Sequence, residues 1–148
     1  GLTHNEHGYP RTQNSEVQTR LVRRLCEKIN KNAEKIVKVE EVMLEDADVV
    51  VVSYGIVARG ALSAVRKARE AGIKAGLLRL VTLWPFPEKH VAKVAERLKA
   101  VVVPEMNCGQ MVREVERAAK EVPVAFLSKL GEDPPTPQEI LDVIRRCA

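Results

Sequence analysis

The polar residues best placed for chemistry follow a β-branched run, in the segment Glu105-Met-Asn-Cys-Gly-Gln110. Ligands of open α/β sheets bind beyond the carboxyl ends of the strands, and this segment directly follows Val101-Val-Val-Pro104. Two interpretations stay open, since these side chains either contact a ligand or partner chain, or Asn107 only caps the next helix. The candidate contact residues here are Glu105, Asn107, Gly109 and Gln110.

A second polar position lies at Tyr54-Gly55, where the run Val49-Val-Val-Val ends. The free N–H groups and dipole of a following helix can receive an anion there, although a tight strand-to-helix turn is the simpler explanation of the glycine. Gly55 and Gly60 do not complete GxGxxG, and no GxxxxGK[ST] occurs, so both nucleotide fingerprints are absent. Arg79, near the end of the next predicted strand, completes this candidate set with Tyr54 and Gly55.

The other nucleophiles and metal-ligand types are scattered. Cys108 has no histidine near it in sequence, which disfavours a nucleophilic role. His4, Glu6 and His7 offer two imidazoles and a carboxylate, but without a third well-spaced ligand a polar arm is favoured over a metal site. No GxSxG or HExxH occurs, so a hydrolase is disfavoured. The three cysteines lack CxxC spacing, which leaves zinc-ribbon and iron–sulfur sites without support: Cys26, Cys108 and Cys147.

Length and composition predict one globular domain. The chain has 148 residues, 45% hydrophobic and 30% charged, with no apolar run long enough for a membrane span. Unpaired cysteines are typical of reduced thiols, so we expect a cytoplasmic protein. The sequence begins at Gly1 without a basic-then-apolar leader, from which we expect no secretion and a segment of a longer protein.

The positive charge raises the possibility of nucleic-acid binding. The net charge is +4 and the pI about 9.1. The basic excess is greatest over residues 49–99, which hold 10 basic and 3 acidic side chains, mostly on the polar faces of predicted helices. None of the five aromatic residues is interleaved with them, so no stacking platform is present and we expect no nucleic-acid partner.

The amino-terminal part contains an arm and a helix. Residues 1–14 are polar and without periodicity, which predicts an arm or linker. Ser15 and Gln18 have capping-box spacing, and an apolar stripe predicts a helix from Ser15 to about Lys35. The imperfect alternation over 37–44 favours a short edge strand.

Strands and helices alternate through the rest of the chain, which predicts a three-layer α/β/α sandwich on a mostly parallel sheet. Continuous β-branched runs are typical of strands buried on both faces. Thr136, Pro137 and Glu139 form a capping box with proline at the first helical position, which opens a final helix. The predicted strands are 49–54, 74–80, 99–104 and 123–127, and the predicted helices between them are 57–71, 87–98 and 109–120.

Four sequence blocks follow one another in the order of a known family, and the resemblance spans nearly the whole chain: Gly1-Leu-x-His-x-Glu-x-Gly8, Val51-Val-Ser-Tyr-Gly55, Leu78-Arg-Leu-Val-Thr-Leu-Trp-Pro-Phe-Pro87 and Val103-Pro-Glu-Met-Asn-x-Gly-Gln110. They resemble the C-terminal part of the alpha subunit of 2-oxoacid:ferredoxin oxidoreductases, of the 2-oxoglutarate type. More distantly, the chain resembles the C-terminal domain of transketolase-like thiamine diphosphate enzymes, which implies a five-stranded sheet with one antiparallel edge strand at 37–43.

The resemblance implies a non-catalytic structural and subunit-interface domain over residues 15–148. The complex would oxidatively decarboxylate a 2-oxoacid with coenzyme A and reduce ferredoxin, with thiamine diphosphate, Mg²⁺ and an iron–sulfur cluster held by other parts. The implied partners are a beta subunit, with gamma and delta subunits in larger complexes, and ferredoxin reached through the complex. Residues 1–14 would link to an upstream domain, with His4 and Glu6 near the cofactor cleft.

A different class of function stays open beside this one. The same residues also fit a free-standing α/β module that binds a small ligand or nucleotide, with Gly55 and the Glu105–Gln110 segment as its contacts.

Overall fold

The computed structural model describes residues 2–148 and divides the chain into two compact units, 1–37 and 38–148. Gly1, the first residue of the first quoted block, lies outside the described residues. The description of 1–14 as a linker from an upstream domain stays a prediction.

The first unit contains the arm and two helices, α1 (Ser15–Asn30) and α2 (Ala33–Ile36). The predicted Ser15 cap is wrong, because Asn14 Oδ1 accepts from the Val17 N–H at 3.0 Å. The single helix to about Lys35 is also wrong. The Asn32 side-chain amide donates to the Lys28 carbonyl at 2.8 Å, a local alternative to continued helix.

The second unit is built on a five-stranded sheet in the order β1-β3-β2-β4-β5. All neighbouring pairs are parallel except β1 with β3, which confirms the antiparallel edge strand. The valine runs form β2 and β4, whose side chains are buried on both faces because helices cover both. The strands are β1 (Val39–Val42), β2 (Val49–Tyr54), β3 (Ala75–Leu80), β4 (Ala100–Glu105) and β5 (Val124–Ser128).

Four helices cover the sheet as two layers, which confirms the α/β/α sandwich. One core packs α3 (Val57–Glu70) and α6 (Pro137–Cys147) against one face of the sheet. The other packs α4 (Glu88–Ala95) and α5 (Met111–Ala119) against the opposite face. The helix predicted to reach residue 98 ends at Ala95, because the Lys99 N–H bonds the Asp48 carbonyl at 2.8 Å and the chain must straighten into β4.

The turn between β1 and β2 lies against Gly76 of β3. A Cβ on Gly76 would come within 2.7 Å of the Met43 carbonyl oxygen and of Leu44 Cδ2. Two arginines bind the carbonyls of this turn, with Arg69 on Met43 at 2.7 Å and Arg97 on Leu44 at 2.6 Å. The turn is therefore held onto the sheet from two sides.

The last helix has the predicted capping box. The Thr136 hydroxyl accepts from the Glu139 N–H at 3.2 Å, and the Glu139 carboxylate accepts from the Thr136 N–H at 2.6 Å. The Lys129 ammonium, 2.9 Å away, and the Thr136 N–H lower the pKa of Glu139 from 4.5 to about 2.

We expect the Glu139 cap to make stability depend on pH in a defined window. A depressed carboxylate pKa contributes stability that is present above 4.5 and is lost as the pH falls towards 2. Thermal melts of Glu139→Gln should therefore lie below the parent at pH 7 and converge with it near pH 2. Glu132→Gln, an exposed charge-matched control, should keep the parent's curve, and parallel curves for Glu139→Gln at both pH values would contradict the cap.

Among the described residues 2–148, no helix has the length and apolar character needed to cross a membrane.

Candidate functional site: a filled crevice between β2 and β4

The sheet order places a topological switch point between β2 and β4. From β2 the chain continues through α3 to β3 on one side, and after β3 it crosses through α4 to β4 on the other. The crevice at the carboxyl ends of two such strands is where open α/β sheets bind ligands. Tyr54 ends β2 and Glu105 ends β4. Both polar segments that the sequence analysis selected as candidate contact sites therefore begin at this crevice.

A hydrogen-bonded cluster fills the crevice, and we call Tyr54, Glu105 and Asn107 the Glu105 corner. The Tyr54 hydroxyl donates to Glu105 Oε2 at 3.0 Å. The Asn107 amide donates to the same Oε2 at 2.9 Å and to the Tyr54 oxygen at 3.1 Å. Three residues from two strands and a loop thus satisfy one another across the switch point.

Glu105 is fully buried and caps α5. Its carboxylate accepts from the Met111 N–H at 3.0 Å and from the Val112 N–H at 2.7 Å. These are unpaired donors of the first helical turn, and the helix dipole favours a negative charge beside them. The buried charge is therefore matched by the backbone rather than by a basic side chain.

Asn107 fixes the loop in front of α5. Its Oδ1 accepts from the N–H groups of Gly109 at 2.8 Å and Gln110 at 3.0 Å. The main-chain carbonyl of Asn107 accepts from the Ser128 hydroxyl at 2.8 Å, and this bond connects the loop to β5. Asn107 therefore bonds the loop before α5, and the alternative in which it only caps the helix is wrong, because α5 begins at Met111 and its first N–H groups bond Glu105.

Gly109 is required here by both conformation and space. Its φ is +95°, and an added Cβ would lie 3.0 Å from Val112 Cγ1 and 3.4 Å from the Phe126 ring. The Gln110 and Cys108 side chains face solvent on this loop. The N–H groups of Gly109 and Gln110 in this loop are already bonded by Asn107.

Burial raises the pKa of Tyr54 above its ordinary value of 10, and the hydrogen bond to Glu105 raises it further, against a lowering by Asn107. The phenol therefore stays a neutral donor to the carboxylate at neutral pH. Because the folded pKa is raised, this contribution to stability is present below pH 10 and is lost as the pH rises above it.

The structure does not bring Arg79 and Gly55 into the corner. Arg79 is the β3 partner of Ser53, hence on the opposite face of the sheet from Tyr54, and it bonds Glu40 of β1 at 2.9 Å. Gly55 turns the chain between β2 and α3 with a φ of +55°. A Cβ added at this position would have no other atom within 4 Å. An anion contact at Gly55 stays a prediction.

The hydroxyl of Ser53 is the one buried side-chain polar atom that lacks a hydrogen-bond partner within residues 2–148. It is completely buried on the face of the sheet opposite Tyr54. A ligand cannot reach it without displacing the packing around β2, so it does not open a binding site.

His4 and Glu6 lie in the first unit, in a shallow cleft shared with Arg20 and Arg24 of α1. A backbone hydrogen bond is the largest cause that lowers the pKa of the exposed Glu6, with smaller contributions from His7 and Arg20. No group of three metal-ligating side chains occurs in the described part of the chain. The place of His4 and Glu6 near a cofactor cleft stays a prediction.

The corner does not suit a diphosphate or a nucleotide. The N–H groups that would bind an anion at α5 already bond Glu105 and Asn107, and the Glu105 carboxylate would repel it. For the same reasons, the corner does not suit the diphosphate group of thiamine diphosphate.

The fold is a transketolase-C-like α/β fold. The chain belongs to the family of pyruvate:ferredoxin oxidoreductase core domain II, because the sequence model of that family matches residues 47–140. It is 48% identical over 145 residues to the 2-oxoglutarate synthase subunit KorA of Methanothermobacter thermautotrophicus. The aligned stretch covers 97% of this chain and 39% of that relative. The chain thus spans about two fifths of the length of the curated relatives it matches.

Among the solved structures that share the fold, two illustrate the similarity. One is a 2-oxoglutarate:ferredoxin oxidoreductase from Magnetococcus marinus with 2-oxoglutarate, coenzyme A and succinyl-CoA bound. The superposition has a TM-score of 0.82 at 23% sequence identity, and it covers 99% of this chain and 26% of that chain. A split-gene transketolase, an inactive beta4 tetramer, covers 74% of this chain with 41% of its own, at TM-score 0.64 and 20% identity.

Proposed function

We propose that this chain is a non-catalytic subunit-interface domain of a 2-oxoacid:ferredoxin oxidoreductase alpha subunit. The supporting observation is the filled crevice: the place where this class of sheet binds ligands holds Tyr54, Glu105 and Asn107 bonded to one another. A domain with its switch point occupied by its own side chains contributes packing and contact surface to an enzyme.

The identity to a 2-oxoglutarate synthase subunit supports 2-oxoglutarate as the 2-oxoacid. The complex would convert it with coenzyme A to an acyl-CoA and pass electrons to ferredoxin, with thiamine diphosphate, Mg²⁺ and an iron–sulfur cluster bound by other domains and subunits. A beta subunit, and in larger complexes gamma and delta subunits, are the proposed partners. The cytoplasm is the proposed compartment.

We expect a tagged version of this protein, expressed in the cells that make it, to co-purify with viologen reduction that depends on both 2-oxoglutarate and coenzyme A. The 148-residue chain by itself should show none above buffer. Turnover by the chain by itself would refute the non-catalytic role, and a purified protein without any associated 2-oxoacid activity would refute membership of the complex.

A free-standing ligand-binding module predicts a different result. Calorimetric titration of the chain with coenzyme A, ATP and pyrophosphate separates the two, because the proposed interface domain should give no binding heat with any of them.

A further inference from the structure

The last strand, β5, forms one edge of the sheet and has β4 as its one neighbour within residues 2–148. The Pro123 carbonyl, directly before β5, accepts from a backbone N–H of β4 at 2.9 Å. The Lys129 N–H, directly after β5, donates to a backbone carbonyl of β4 at 2.9 Å. Since the direction of the backbone groups alternates along a strand, every second residue between these two faces away from β4. The outward-facing residues are Val124, Phe126 and Ser128.

The two edges of the sheet differ in their protection against pairing with a further strand. β1 has four residues, of which Glu40 and Glu41 are exposed, and charged side chains on an edge strand disfavour such pairing. β5 has five residues without a charge, and its central Phe126 is 39% exposed. The outward N–H and C=O groups of β5 bond no other group within residues 2–148. β5 is therefore the edge that can accept another strand.

An antiparallel copy of β5 matches this edge in one register. With Phe126 opposite Phe126 of the second copy, Val124 lies opposite Ser128 of the second copy, and every outward residue forms a hydrogen-bonded pair. A shift of the copy by two residues leaves one outward residue of each strand unpaired. The matched register has a two-fold axis between the two Phe126 residues, which is the symmetry of most protein dimers.

The residues next to the strand fit the same register. Lys129, the first charge after β5, would lie opposite the uncharged Pro123 of the second copy, and its ammonium is already paired with Glu139 at 2.9 Å. Leu130 is 66% exposed and would lie opposite Val122 of the second copy. The pairing thus brings apolar side chains together without opposing like charges.

We propose that β5 pairs antiparallel with β5 of a second copy of this chain, about a two-fold axis at Phe126, so that the two sheets become one. This inference goes beyond the proposed function and does not depend on it, because it requires only the edge of the second unit. The charged β1 strands would form the two outer edges of the joined sheet, so the assembly ends at two copies.

Sedimentation velocity of the 148-residue chain measures the association. We expect a reversible dimer that dissociates on dilution to the 16.5 kDa monomer. Phe126→Lys should weaken the association at least tenfold, because two ammonium groups would then face each other across the axis. A parent chain that stays monomeric up to about 1 mM would overturn the proposal.

Glu41→Gln is the matched control, because it changes the net charge by the same amount on the other edge strand. It should associate as the parent does. Equal association of Phe126→Lys and the parent would overturn the pairing through β5. Circular dichroism of Phe126→Lys, with a spectrum unchanged from the parent expected, shows that a loss of association is not a loss of folding.

A disulfide cross-link tests the register and does not depend on the folding of Phe126→Lys. In a chain whose three cysteines are replaced by serine, Phe126→Cys should form a disulfide-linked dimer on mild oxidation. The Cα atoms of a hydrogen-bonded antiparallel pair are about 5.5 Å apart, which a disulfide spans. Glu41→Cys in the same background should stay unlinked. A dimer that does not cross-link at position 126 would overturn this register.

A different protein as the occupant of β5 gives a different result. If Phe126→Cys is oxidised in an extract of the cells that make this protein, the linked partner should again be a second copy of this chain. A link from position 126 to another polypeptide would overturn the proposal.

The outcomes separate this inference from the proposed function. A monomeric chain that co-purifies with 2-oxoglutarate-dependent activity overturns the pairing of β5 and leaves the interface role. A dimeric chain without any associated 2-oxoacid activity overturns the proposed function and leaves the pairing.

Discussion

Replacement of Glu105 by alanine should lower the free energy of unfolding by about 3 to 4 kcal/mol, because several charge-assisted hydrogen bonds are lost at once. The carboxylate accepts from Met111, Val112, Tyr54 and Asn107, and it is fully buried. Without it the two helix N–H groups lose their acceptor inside the protein, where water does not replace it.

Glu105→Gln separates charge from shape. The amide has nearly the shape of the carboxylate but must direct an NH₂ group at one of four donors, so we expect a loss of about 2 kcal/mol. Urea denaturation measures both variants, with the midpoint shifted and the slope unchanged.

Glu114→Gln is the matched control on the same helix. Glu114 is only partly buried and is paired with Arg117, so its replacement should change the free energy of unfolding by less than about 0.5 kcal/mol. If Glu105→Gln behaved like Glu114→Gln, the carboxylate would not be the group that holds β2, β4 and α5 together.

Gly76→Ala should lower the free energy of unfolding by about 2 to 3 kcal/mol through overpacking. The new Cβ would approach the Met43 carbonyl oxygen to 2.7 Å, and this backbone atom cannot move freely because Arg69 binds it at 2.7 Å. Gly76→Val should cost more, since it adds two methyl groups where a Cβ by itself already comes within 2.7 Å of Leu44 Cδ2 and 3.2 Å of Ala47 Cβ.

Gly55→Ala provides the contrast for Gly76. Gly55 has φ +55° but open space around it, so its substitution tests conformation and should cost about 1 kcal/mol. Gly76 has no positive φ, so its substitution tests space. Chemical denaturation of both variants would contradict the packed turn if Gly76→Ala proved the milder change.

The parallel part of the fold could be predicted because its signals are local. A valine run ended by Gly55, and a capping box at Thr136, need only neighbouring residues to be recognised. The antiparallel strand β1 has a weak pattern of its own, and its direction came from the family resemblance. Competing hydrogen bonds explain the errors. Asn14 outcompetes Ser15 as the cap of α1, and the bond of Lys99 to Asp48, 51 positions away in sequence, ends α4 early.

The residues of the site could be predicted more readily than their roles. The rule for strand ends selected Tyr54, Glu105 and Asn107, which the structure brings together. That Glu105 bonds the first turn of α5, and that Tyr54 reaches it across 51 positions of sequence, depends on the approach of β2 and β4 in space. Gly76 carried no sequence signal, because nothing local shows that a distant turn lies on it.

The sheet order also determines how the second unit opens. The antiparallel strand β1 has four residues and pairs only with β3, whereas β2 is bonded on both sides and buried throughout its first five residues. Local opening free energies follow such differences. The amides of β1 therefore exchange with solvent by peeling of the strand, whereas those of β2 wait for global unfolding. Since Lys38, directly before β1, bonds the loop of Val81 and Thr82, fraying of this one strand releases that loop while the Glu105 corner stays closed.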